Sequence, residues 1–274
     1  MPWSERQRAL MQGMGLRVWL PPPAVAAAGS AAVPPKPAEA DAAPAAAAMA
    51  QPRPAPAIVD APAVAPPPAS KPATATADVD AMDWAALRQA VADCRACSLC
   101  RSRRQTVFGV GHLQARWLVV GEAPGEQEDL QGEPFVGAAG QLLDRMLAAL
   151  GLTRAADGPQ PPEQRVYIAN TLKCRPPRNR NPAAEELAQC EPFLVRQIEL
   201  LQPRLILAMG RFAVQALLRT DEPIGRLRGR VHRYQGLPLV VSYHPAYLLR
   251  NPPDKARAWE DLCLAAAVAA GDAA

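Results

Sequence analysis

Six cysteines are the first residues with chemical potential. Cys94-Arg-Ala-Cys97 is a C-x-x-C pair, and Cys100 follows at the same interval. Cys174 and Cys190 stand far downstream, with 15 residues between them. Four thiolates can hold zinc or an iron–sulfur cluster. A compact zinc ribbon pairs two short C-x-x-C units, and the second pair here is too wide for that. A four-cornered site closing a long loop suits a [4Fe–4S] cluster better, although spacing alone leaves the metal open. Ordinary core cysteines are the plainer alternative, and Cys263, on an apolar helical face, reads as one.

Three further strings carry polar or aromatic groups that could grip a ligand. The first, Gly121-Glu122-Ala123-Pro124-Gly125-Glu126-Gln127-Glu128-Asp129, has neither the Gly-Lys-Ser/Thr ending of a Walker loop nor a G-x-G-x-x-G pattern. Its acidity argues against cradling phosphate. Pro134-Phe135-Val136-Gly137 follows, and then Asn170 before Lys173-Cys174-Arg175-Pro176-Pro177. The last string is His244-Pro245-Ala246-Tyr247-Leu248-Leu249-Arg250. Phe135 offers an aromatic face for a flat ring. Asn170 supplies a donor and an acceptor on one amide. His244 can donate a hydrogen bond. Taken singly, each has a plainer role as core aromatic, loop cap or structural histidine.

The elements that must position these groups follow from apolar patterning. Trp117–Val120, Val166–Ala169, Leu205–Met209 and Leu239–Ser242 are continuous apolar runs, suited to strands buried on both faces. Helical spacing marks Asp83–Ala92, Gln141–Leu150, Ala183–Leu201, Arg211–Leu218 and Pro253–Ala269. Strand and helix alternate, which predicts an α/β fold: three α/β/α layers around a short four-stranded parallel sheet. Ligands in such folds sit beyond the carboxyl ends of the strands, where Gly121–Gly125, Asn170–Pro177 and Tyr243–Arg250 lie.

Composition sets the outer limits. From Pro21 to Asp80, 15 residues are proline and 24 are alanine, so this stretch reads as a disordered linker. Three regions are therefore expected: a short helical peptide over 1–20, the Ala/Pro-rich linker over 21–80, and one folded domain over 81–274. Net charge is only +4, but arginines and lysines cluster at 101–104, 173–180 and 226–233. Such clusters can track a phosphate backbone or be solvated faces. No apolar stretch is long enough to span a membrane, and the first twenty residues lack a secretory core. A cytoplasmic chain is expected, with cysteines used for metal or redox chemistry.

Taken in order, Cys94-x-x-Cys97, Val107-Phe108-Gly109, the acidic loop, Pro134-Phe135-Val136-Gly137, Asn170, Lys173-Cys174-Arg175-Pro176-Pro177 and the His244 string resemble the family 4 uracil-DNA glycosylases. This is the iron–sulfur branch of that superfamily, and the resemblance runs from about Cys94 to Arg257. It implies an enzyme that flips uracil out of DNA and hydrolyses its N-glycosidic bond, leaving an abasic site for base excision repair. Cys94, Cys97, Cys174 and Cys190 would hold a [4Fe–4S] cluster, with Cys100 outside the quartet. Glu122, Ala123, Pro124, Phe135, Asn170 and His244 would bind the uracil, with Glu122 and His244 catalytic. Leu248 or Leu249 would wedge into the gap left by the base, while Arg250, Arg175 and Arg178 would meet DNA. Two departures stand out: many superfamily members have aspartate where this chain has Ala123, and the family usually has serine at Ala246.

The segment Ser4–Trp19 is similar to the start of the psi subunit of the bacterial clamp loader, implying a replication partner for the N-terminus. A non-catalytic replication accessory protein on the same fold is therefore the alternative. The resemblance further implies a monomer associated with the bacterial nucleoid.

Overall fold

The computed structural model describes residues 79–271. The peptide 1–20 and the linker up to residue 78 lie outside the described residues. Val79 and Asp80, the last two residues assigned to the linker, belong to the folded unit, in a 3-10 turn whose Val79 is buried.

Helix α1 (Trp84–Asp93) starts where the Asp83 carboxylate accepts the Ala86 amide at 2.8 Å, closing an orphan donor of the first turn. Its Leu87 and Val91, one turn apart, bury against Phe108 and Phe193. Then come β1 (Val110–Gly111), β2 (Trp117–Gly121), α2 (Glu126–Gln131), α3 (Ala138–Ala149) and β3 (Val166–Asn170). α4 (Ala184–Leu201), β4 (Leu205–Met209), α5 (Arg211–Leu218) and α6 (Ile224–Leu227) follow. The chain ends in β5 (Val231–Tyr234), β6 (Leu237–Ser242), α7 (Pro245–Arg250) and α8 (Lys255–Ala270).

The strand order is β1-β3-β2-β4-β6-β5. The four expected strands are parallel neighbours, with Gly121 level with Asn170 and Met209 level with Ser242. The sheet is wider than expected by two antiparallel edges, β1 on β3 and β5 on β6. Neither edge shows a continuous apolar run. β1 is two residues long, and β5 alternates exposed with half-buried positions. Its hairpin to β6 turns through Gln235 and Gly236, both at positive φ, as a two-residue hairpin requires.

Alternate residues of the parallel strands feed two cores. Val119, Ile168, Leu207 and Val240 pack under α3 and α8, together with Leu143, Met146, Trp259 and Leu262. Leu118, Tyr167, Ile206 and Val241 pack under α4 and α5, with Ile198 and Val214. Three layers result. From β2 the chain steps to β3 on one side and then to β4 on the other. That reversal opens a crevice beyond the carboxyl ends of β2 and β4.

Candidate active site

The crevice is a cleft of about 960 Å³. Glu122, Ala123 and Pro124 line it from the β2 end, Gly210 and Arg211 from the β4 end, and His244 from the β6 end. Phe135 enters from the connection between α2 and α3.

Phe135 is held in an unusual way. Its backbone has φ +56°, a region non-glycine residues rarely adopt. The Arg154 guanidinium donates to the carbonyls of Pro134 and Phe135, each at 2.8 Å, and is itself paired with Asp144. On the other side, Glu128 accepts the amides of Gly125, Val136 and Gly137, tying the acidic loop to the Phe135 turn. Gly140 completes the fit, since a Cβ there would run into the Phe135 carbonyl. The Phe135 ring stacks on the imidazole of His244, with centroids 5.3 Å apart and planes 28° apart.

Asn170 ends β3 beneath the cleft floor, 2% exposed. Its Oδ1 is a buried acceptor with no hydrogen-bond partner among the described residues. A Cβ on Gly121 would collide with this oxygen and stand 2.7 Å from the Phe135 ring. Both side chains therefore reach the same spot above Gly121, which has room for them because it has no side chain. Phe135 thus links the two: its ring stacks on His244 within the cleft and approaches the spot that Asn170 Oδ1 reaches from the end of β3.

His244 caps α7: its Nδ1 accepts the Ala246 amide at 3.2 Å. With that nitrogen occupied as an acceptor, a neutral ring carries its proton on Nε2. Burial, reinforced by the nearby Arg250 charge, lowers the pKa to about 4, so the ring is neutral at physiological pH. Gly210, at φ +92°, lets the ring lie close, since a Cβ there would stand 3.0 Å from that of His244. Glu122 is half-buried, and burial raises its carboxyl above the usual carboxylate range. Its backbone is fixed across the ladder by Leu172 and Thr171, both donating to the Glu122 carbonyl.

The expected DNA-facing residues divide. Arg250 and Arg178 are exposed, and Arg250 borders the cleft. Arg175 is half-buried, bonded to Asn179 at 2.8 Å and paired with Glu126 at 3.6 Å. Leu249 is 44% exposed, whereas Leu248 is 1% exposed within the core under α3. Leu248 is therefore a packing residue, because α7 turns it inward and leaves it no surface to insert.

Cys94, Cys97, Cys100, Cys174 and Cys190 line one small hollow between α1 and α4. Arg103 Nη1 donates to Cys174 Sγ at 3.0 Å. Beside the thiols lies Lys173, 1% exposed, whose Nζ donates to the Asn170 carbonyl at 2.8 Å and to Gln197 Oε1 at 2.6 Å. Ala123 packs against this cluster while also lining the cleft, so the two sites share a wall. Among the described residues, no three Cys, His, Asp or Glu side chains are grouped as a single ion would need. Arg154, Glu128 and Lys173 escape sequence reasoning because their charged side chains act on backbone atoms, which carry no residue-type signal. Glu128 alone leaves a trace, three residues after the Gly125 cap.

A stacked aromatic ring and fixed imidazole beside a buried, unpaired amide oxygen, at the switch point of a parallel sheet, mark an α/β protein with a site of the size and polarity that suits a small flat ring. Residues 108–263 match the family model described as the uracil DNA glycosylase superfamily. A type-4 uracil-DNA glycosylase of Archaeoglobus fulgidus is 43% identical over 170 residues, covering 59% of this chain and 81% of the relative. That of Pyrobaculum aerophilum is 39% identical over 193 residues, covering 67% and 93%. A third, from Thermotoga maritima, is 40% identical over 171 residues, covering 62% and 84%. The chain belongs to the uracil-DNA glycosylase superfamily, in its type-4 branch.

Proposed function

We propose that this chain excises uracil from DNA by hydrolysing the bond between uracil N1 and deoxyribose C1′. The carrying observation is the unpaired Asn170 Oδ1, buried beside Phe135 and Gly121. An unmet buried acceptor costs about 1–3 kcal/mol, which a ligand N–H can recover. Uracil N3–H is such a donor, and the Asn170 amide group can in turn reach uracil O4. Cytosine presents the opposite pattern at both positions. A base in duplex DNA reaches this hollow only after rotating out of the stack.

The bonding electrons leave with the base as C1′–N1 breaks, so negative charge gathers on uracil O2 and positive charge on the sugar. His244, neutral with Nε2–H exposed to the ligand, donates to O2 and stabilises the departing anion. Being neutral, it lacks the acidic proton of an imidazolium, keeps its Nε2–H at physiological pH and acts as a fixed donor. Glu122 offsets the positive sugar and orients the water whose oxygen joins C1′. The proton that the water gives up neutralises the departed uracil anion, so the products are an abasic site and free uracil. The test is purified protein on a uracil-containing oligonucleotide, followed by alkali to cut abasic sites. Strand cleavage specific to uracil is expected, and its absence would remove this reading.

The thiol set fits a [4Fe–4S] cluster held by Cys94, Cys97, Cys174 and Cys190. A cubane spreads four thiolates more widely than a single ion does, in keeping with donors that share a hollow without crowding one point. When bound, it supplies a structural brace for the loop around Cys174. Arg103 and Lys173 supply positive charge beside it. Leu249 enters the gap vacated by the base, and Arg250, Arg178 and Arg175 face phosphates.

The same reading makes the protein a monomer acting on nucleoid DNA in the cytoplasm; no described helix is long and apolar enough to cross a membrane. Residues up to 78 link the folded unit to residues 1–20, which recruit a replication protein. A pull-down with residues 1–25 that retains no replication protein would remove that part. The purely accessory role finds no support in the three relatives described above, which are glycosylases by name.

A further inference from the structure

Lys173 is a fully buried cation that the chemistry above does not use. Its ammonium is shared between two sites. It lines the same small hollow as Cys174 and Cys190, whose charge would favour the ammonium once they serve as thiolate ligands. On its other side it donates to the carbonyl of Asn170 at 2.8 Å, and Gln197 takes a further bond at 2.6 Å. Gln197 is in turn fixed by donating to the Phe108 carbonyl at 2.9 Å. A charge-assisted bond in a low-dielectric interior is strong and directional. The residue whose backbone it grips is the one whose side chain holds the unpaired oxygen.

We propose that Lys173 is a positioning residue that couples filling of the cysteine site to recognition of the pyrimidine. With anionic cluster ligands beside it, the ammonium is drawn to a fixed place and pins the end of β3, which sets the Asn170 amide. When the site empties, that pull weakens and the amide loses its fixed direction. The inference rests on the proposed function, because it needs both a bound cluster and a uracil-binding Asn170.

Coupling between two sites is reciprocal, so uracil must protect the iron as much as the iron favours uracil. The test uses the full-length holoprotein and needs no turnover. Iron release to a colorimetric chelator is timed alone, with saturating free uracil, and with cytosine. Uracil is expected to slow release by about fivefold or more, and cytosine to leave it unchanged. In Lys173→Met with full iron content, the uracil effect should vanish. Uracil that binds the holoprotein without slowing release would overturn the proposal, as would an undiminished effect in Lys173→Met. Should Lys173→Met fail to fold, Gln197→Met keeps the cation but removes one of its anchors. Its uracil effect should shrink, and an effect of wild-type size would count equally against coupling. A wild-type protein that takes up no iron or binds no uracil would instead count against the proposed function.

Discussion

At the residue scale, the division of labour between Asn170 and His244 is open to separate measurement. His244→Ala removes the donor to the leaving group, so single-turnover excision should slow by about 10²–10³-fold while uracil affinity changes less. Asn170→Asp exchanges the amide for a carboxylate whose oxygens both accept. Uracil excision should then fall by more than about 10²-fold, with detectable excision of cytosine. Unchanged uracil rates in Asn170→Asp would refute the pocket assignment. The histidine also leaves a mark on stability. An exposed histidine has a pKa of about 6.5, whereas His244 is lowered to about 4 by burial and by Arg250. Between those values the unfolded chain takes up a proton that the folded chain refuses. Stability present above pH 6.5 is thus lost progressively as pH falls to about 4. The thermal midpoint should decline through that window, and less steeply in His244→Gln.

At the element scale, the ends of strands and the short α7 decide what the site contains. Gly121 closes β2 where Asn170 and Phe135 converge. Gly121→Ala should displace one or both, so uracil binding weakens while the buried sheet keeps most of its stability, as thermal unfolding beside uracil titration would show. In α7, successive side chains point about 100° apart, which separates Leu248 from Leu249. Leu248→Ala should cost about 2–5 kcal/mol of stability. Leu249→Ala should change stability by no more than about 0.5 kcal/mol and instead slow excision from duplex more than from single-stranded DNA. The sequence made the parallel strands readable because each is a continuous apolar run. It hid β1 and β5, whose edges alternate or are too short to show a period. α7 reads as a loop through its proline, although Pro245 following a capping His244 is a helix-start pattern. Phe135, Asn170 and His244 were recognisable through the order of their motifs. The supports from Arg154 and Lys173 were not, because a backbone carbonyl is present at every residue and gives a gripping side chain no pattern to match.

At the scale of the whole molecule, the proposed DNA contacts rest on individual arginines rather than on net charge. Arg178 is exposed in the turn after β3 and Arg250 at the end of α7. Replacing either with alanine should lower the slope of log affinity against log salt by about 1. The loss should be equal for DNA with and without uracil, as fluorescence anisotropy over a salt series would report. A loss confined to uracil-containing DNA would place the residue in base recognition instead.

The sheet order β3-β2-β4-β6 puts Asn170, at the tip of β3, and His244, two residues beyond β6, after strands that are not neighbours, with Phe135 between them. In the proposed mechanism, base choice and bond breaking thus arrive on separable modules. An altered β3 tip could retune which ring is admitted without disturbing the imidazole that stabilises its departure. The converse exchange at β6 would leave a protein that still grips the base but no longer releases it.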